Sequence, residues 1–136
     1  MSKPIPQIAK YMTTTPHTVG VDQPLTVAHR LMREHRFRHL PVLQGGRLVG
    51  LVSERDLALI ETLKDVDPAA VTVEDAMTPA PYTVAPTAPL DEVVATMAEH
   101  RYGSAVVVDH GHVVGVFTTV DALAAFADLL HSRLAK

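Results

Sequence analysis

Laid on itself at an offset of 65 residues, the chain aligns without a gap: MTTTPHTV (12–19) falls on MTPAPYTV (77–84), and REHRFRHLPVL (33–43) falls on AEHRYGSAVVV (98–108). The alignment pairs Met12 with Met77, Pro16 with Pro81, Thr18 with Thr83, Pro24 with Pro89, His35 with His100, Gly50 with Gly115 and Asp56 with Asp121. Such a duplication constrains the fold more than any other feature, because both copies must adopt the same unit. A unit near 60 residues buries only about 60% of its unfolded-chain surface, so the two are expected to pack face to face. The expected division is a first repeat with its N-terminal lead-in over 1–66 and a second repeat over 67–136, together one compact module, with Asp67-Pro68-Ala69-Ala70 as connector.

Each copy reads as β-α-β-β-α. A short extended piece, His17-Thr18-Val19 or Tyr82-Thr83-Val84, precedes a helix whose start carries Pro24 or Pro89, proline being tolerated where no backbone N–H is required. Leu25, Ala28, Leu31 and Met32 recur at helical spacing, as do Leu90, Val93, Val94 and Met97. Two strands then form a hairpin, His39 to Gln44 with Arg47 to Val52 through Gly45-Gly46, and Ala105 to Asp109 with Val113 to Thr118 through His110-Gly111-His112. A second helix closes each copy, from about Glu54 to Leu63 and from about Thr119 to Leu134. The expected class is α+β: small mixed sheets flanked by helices, duplicated about a pseudo-twofold axis, with a cleft on either flank of the repeat interface.

Twelve Lys and Arg against fifteen Asp and Glu give a net charge of −3, which carries no nucleic-acid or anionic-membrane footprint. The absence of cysteine excludes disulfides, thiolate metal sites and cysteine nucleophiles. The start MSKPIPQIAK has no apolar signal core and no stretch approaches a membrane span, so the expected location is cytoplasmic.

Where the last strand of each copy ends, an apolar run passes into Ser53-Glu54-Arg55-Asp56 and Thr118-Thr119-Val120-Asp121. A hydroxyl three residues ahead of an acid at a helix start is the signature of a capping box. A carboxylate there can also accept two vicinal hydroxyls, and the free N–H groups of a helix N-terminus favour an anion. One Asp then faces both demands.

The ordered, doubled set RHLPVLQGGRLVGLVSERDL and SAVVVDHGHVVGVFTTVDAL, with MTxxPxTV opening both copies, resembles a tandem pair of CBS domains, the Bateman module, over nearly the whole chain. The resemblance implies a non-catalytic sensor of AMP, ADP or ATP, with S-adenosylmethionine and NAD as further adenosine ligands to test, that forms a homodimer and regulates an unidentified protein. It places the ligands in the clefts between repeats. It assigns Asp56 and Asp121 to the ribose hydroxyls; Ser53, Arg55, Thr118, Thr119, Arg38 and His39 to phosphate or ribose; and Thr18, Val19, Thr83, Val84, Gly103 and Ser104 to framing the adenine.

Eight histidines raise the question of a metal, but His110 and His112 fall on a solvated hairpin tip and His35 with His39 straddles a helix end, with no third ligand in sequence. No metal and no catalytic site is expected: the chain lacks a nucleophile elbow, a P-loop and paired acids. The final helix carries Leu123, Phe126, Leu129, Leu130 and Leu134 on nearly every side, the width that a dimer helix needs. The alternative function is a dimeric scaffold with vestigial clefts.

Overall fold

The computed structural model describes residues 4–14 and 17–134. After a 3-10 turn at Ile8–Lys10, the elements run β1 (Thr13–Thr14), β2 (Val19–Gly20), α1 (Leu25–His35), β3 (His39–Gln44), β4 (Arg47–Ser53), α2 (Glu54–Glu61), α3 (Val73–Ala76), β5 (Thr78–Pro79), β6 (Thr83–Val84), α4 (Leu90–His100), β7 (Ser104–Asp109), β8 (His112–Thr118) and α5 (Thr119–Leu134). The β-α-β-β-α order holds in both copies. Pro24 and Pro89 sit one residue before their helices as N-caps, and both helices end on an arginine in the left-handed region, Arg36 and Arg101, each at φ 59°.

Two packed units divide the described residues: one is 17–81, and the other joins 82–134 to the N-terminal stretch 4–14. The packing therefore exchanges the arms that precede each repeat. β1, ahead of the first repeat, pairs antiparallel with β8 of the second; β5, ahead of the second repeat, pairs antiparallel with β4 of the first. The sheets run β2-β3-β4-β5 and β1-β8-β7-β6. The repeat boundary in sequence and the boundary of packing are thus different: residues 4–14 precede the first copy but complete the second unit.

Glycine makes these edge pairings possible. A Cβ on Gly115 would lie 2.8 Å from both the Met12 sulfur and the Thr13 carbonyl oxygen, and one on Gly50 would strike the Met77 sulfur and lie 3.0 Å from the Thr78 carbonyl oxygen. The arms also supply core: Ile8 and Val73, aligned in the repeat, are both fully buried.

Each unit has its own apolar core. In the first, Val19, Leu25, Ala28, Met32, Leu40, Val42, Val52 and Leu57 pack together. In the second, Ile8, Leu90, Val93, Met97, Ala105, Val107, Phe117 and Ala125 do so. At the C-terminal end of α1 the His17 and His35 rings stack at 3.9 Å with Phe37 beside them, and the aligned Tyr82, His100 and Tyr102 form the matching cluster. Thus His35 is taken up in ring stacking against His17.

Candidate functional site

The two strand ends, one in each unit, are built alike. In the first unit β3 and β4 are antiparallel with His39 opposite Ser53, and the Glu54 N–H donates to the Arg38 carbonyl at 2.8 Å. This brings Arg38, His39, Ser53 and Asp56 to one end of the sheet, with Arg55 on the exposed first turn of α2. In the second, Ser104 stands opposite Thr118 and the Thr119 N–H donates to the Gly103 carbonyl at 3.2 Å, gathering Gly103, Ser104, Thr118, Thr119 and Asp121.

Both aspartates serve as caps, and each does so chiefly through one oxygen. Oδ2 of Asp56 accepts from the Ser53 N–H and from the Ser53 hydroxyl, both at 2.8 Å, while the Asp56 N–H donates to the Ser53 hydroxyl at 3.1 Å. Oδ2 of Asp121 accepts from the Thr118 N–H at 2.9 Å and the Thr118 hydroxyl at 3.2 Å, and the return bond from the Asp121 N–H is 3.4 Å. The cap does not exhaust the Asp56 carboxylate, which offers about four lone-pair sites, because both capping bonds it accepts fall on Oδ2 and neither on Oδ1.

The cap also removes donors on which a phosphate would depend. The Glu54 and Asp56 N–H groups are engaged by Arg38 and Ser53, so of the first three helical N–H groups of α2 the Arg55 N–H is left for an anion. Anion attraction at this end therefore rests more on side-chain cations than on the helix terminus. The cationic side chains at this end are Arg38 and Arg55, Arg38 being highly exposed and 3.9 Å from the Glu54 carboxylate, a pairing of little worth in solvent.

The structure separates the residues assigned to adenine. Gly103 and Ser104 lie at the second strand end, but Val19 is core, and β2 flanks β3 on the side away from β4, with Val19 opposite Val42 rather than near His39. Thr18 and Val19 border a groove of about 570 Å3 with Asp22, Gln44 and Glu74, which contains none of Arg38, His39, Ser53, Arg55 or Asp56. Thr83 and Val84 sit opposite Val106 and Val107, midway along β7.

What the sequence reading missed is Thr13. Its hydroxyl donates to Oδ1 of Asp121 at 3.0 Å, because β1 is paired alongside β8. The signal was present in the Met-Thr that opens both copies, Met12-Thr13 and Met77-Thr78. Among the described residues no group of three His, Asp or Glu side chains converges as a metal set, and no helix is long and apolar enough to cross a membrane.

Comparison with known proteins identifies this architecture. The CBS domain family model matches residues 8–60 and 73–128. The chain is 30% identical over 110 residues to the CBS domain-containing protein YhcV of Bacillus subtilis, covering 81% of this chain and 78% of the relative. It is 32% identical over 122 residues to the inosine-5'-monophosphate dehydrogenase of Korarchaeum cryptofilum, but spans only 24% of that protein's length. Among solved structures, a CBS domain pair in complex with 5'-methylthioadenosine and S-adenosyl-L-methionine superposes with a TM-score of 0.80 at 26% identity, covering 93% of this chain and 99% of the other. CBSX2 in complex with AMP gives 0.75 at 25% identity, covering 90% and 97%. The chain belongs to the CBS domain family, as a tandem CBS pair of the kind that forms regulatory modules.

Proposed function

We propose that the protein is a non-catalytic sensor that binds an adenosine nucleotide at its strand ends and passes the occupancy to a partner protein. The observation that carries this reading is the twofold appearance of an Asp held in place by its own cap, with Asp56 keeping Oδ1 outside the capping bonds and Arg38 and Arg55 close by. A fixed carboxylate oxygen suits a vicinal diol, and hydrogen bonds to a charged acceptor contribute about 1.5–3 kcal/mol each. The complexes of related CBS pairs with AMP and with S-adenosyl-L-methionine support the same ligand class. The two ends differ in charge: Arg38, His39 and Arg55 align with Gly103, Ser104 and Val120, so the first end favours phosphate-rich ligands such as ADP or ATP, and the second tolerates AMP or adenosine or stays empty.

The test is calorimetric titration with AMP, ADP, ATP, S-adenosylmethionine and NAD. Asp56→Ala and Asp121→Ala each should weaken one site by about five- to 150-fold. If no ligand of the panel binds, the sensor reading fails and the scaffold reading replaces it. That second reading draws on the exposed apolar side chains of α5, Leu123 at 67% and Phe126 at 59% exposure, which also motivate a homodimer. Sedimentation equilibrium showing a monomer at micromolar concentration contradicts the dimer.

A further inference from the structure

The two aspartates, aligned in sequence and capped alike, do not offer a ligand the same acceptor. Oδ1 of Asp121 already accepts the Thr13 hydroxyl at 3.0 Å, which also lies 3.3 Å from Oδ2. Among the described residues no side-chain hydroxyl reaches Oδ1 of Asp56, although Thr78 holds the aligned position on β5. The difference has a cause in the sequence. Two residues before Thr13, the Tyr11 hydroxyl donates to Asp128 at 2.5 Å, and Asp128 lies seven residues, about two helical turns, beyond Asp121 on α5. Tyr11 and Thr13 thus fasten the arm along one face of α5. Their repeat counterparts are Ala76 for Tyr11 and Leu63 for Asp128, whose side chains form no hydrogen bond, and α2 ends at Glu61 before reaching Leu63. Among the described residues, the arm on the first unit has neither fastening.

Resting on the adenosine reading above, we infer that Thr13 is a specificity-determining gate on the second site: its hydroxyl occupies the Asp121 oxygen that a ribose diol needs, so the Asp56 site fills first and the Asp121 site fills only as Thr13 turns away. A vicinal diol asks a carboxylate to accept two hydrogen bonds. Asp56 meets this with Oδ1 as it stands. Asp121 must exchange the Thr13 bond for one of them, and the net value of the ribose contact falls by the value of the bond surrendered. Because Thr13 belongs to the arm that also carries Ile8 and Tyr11, occupancy of the second site becomes linked to how that arm is held.

The experiment is AMP titration of the full chain followed by amide NMR, with the Ser53 and Thr118 N–H signals, each donated to an aspartate Oδ2, reporting the two sites separately. In the parent the Ser53 signal should saturate at lower AMP than the Thr118 signal. Thr13→Val, which keeps the shape and removes the hydroxyl, should tighten the Thr118-reported site by about three- to tenfold, whereas Thr13→Ser should leave it weak. Tyr11→Phe frees the arm by a different route and should move the same site in the same direction. Unchanged or weaker binding at the Thr118-reported site in Thr13→Val overturns the gate, and if that variant does not fold, the same result in Tyr11→Phe does so. Failure of AMP to perturb either signal in the parent and in every variant instead overturns the adenosine reading itself.

Discussion

The first and second units present one backbone and two contrary surfaces. Between α1 and α2, His29 lies 2.8 Å from the Glu61 carboxylate through Nδ1 and 3.2 Å from the Arg33 guanidinium through Nε2. A ring that accepts from Arg33 at Nε2 carries its proton on Nδ1, aimed at Glu61, so three polar side chains clamp the two helices. The aligned residues of the second unit are Val94, Ala98 and Phe126. Between α4 and α5 there is no clamp but a groove of about 390 Å3 bordered by Val94, Met97, Ala98, Tyr102 and Ala122. The buried pattern is meanwhile identical: β3 matches β7, and β4 matches β8, position for position. What the repeat preserves is the set of positions that face the core. Core residues change identity but stay apolar, as at Val52 and Phe117, whereas on the outer faces the two units differ in polarity.

The two units should differ most under substitution in the core. Phe117 and Val52 occupy aligned, fully buried positions. Phe117→Ala should destabilise by about 3–5 kcal/mol and Val52→Ala by roughly 2 kcal/mol, since the cost follows the volume removed. Equal losses in urea denaturation would show that the two cores are not loaded as their packing indicates. Smaller, at about 1–3 kcal/mol, is the cost of Gly115→Ala, where the new methyl meets the Thr13 carbonyl as well as the Met12 sulfur. Gly50→Ala should cost less, because its nearest obstacle is the flexible Met77 side chain and the Thr78 carbonyl is farther. The reverse order by thermal denaturation would mean that the arms hold the two sheets differently from the pairing described.

The clamp of the first unit is more exposed and accordingly worth less. Glu61→Gln should cost under about 1 kcal/mol, and a double-mutant cycle with His29→Ala should give a coupling of the same size. Coupling well above that value would show that the clamp, not the core, sets the α1–α2 contact. The mildest effect belongs to Tyr11. The hydrogen bond to Asp128, followed by desolvation and the Asp128 charge, raises the Tyr11 phenol above its ordinary value. A raised folded-state value means that the contribution of this contact to stability is whole below about pH 10 and is lost as pH climbs through the raised value. Ultraviolet titration should find the Tyr11 phenol ionising above its ordinary value, and Asp128→Asn should lower it.

Much of this was legible before the structure. The offset of 65 residues gave both copies the same order of elements, and the periodicity at Leu25, Ala28 and Met32 marked the face that is buried. The Ser-x-x-Asp and Thr-x-x-Asp spacings marked both caps and both strand ends. The arms were not legible. β1 and β5 are two residues each, too short for any alternation to show, and their partners lie far along the chain, so only the packing reveals that Thr13 belongs with Asp121. The alignment of Val19 across the repeats did not by itself tell core from surface, and in the fold its side chain packs in the first core.

The claim on which the account turns is that one duplicated scaffold carries two unequal adenosine sites, and calorimetry of ATP and adenosine into the parent, Arg55→Ala and Asp56→Ala chains tests it most directly. The account predicts one ATP site per chain that is weakened by salt, by Arg55→Ala and by Asp56→Ala, together with an adenosine site indifferent to Arg55. Two equivalent ATP sites per chain, unmoved by either substitution, would contradict it.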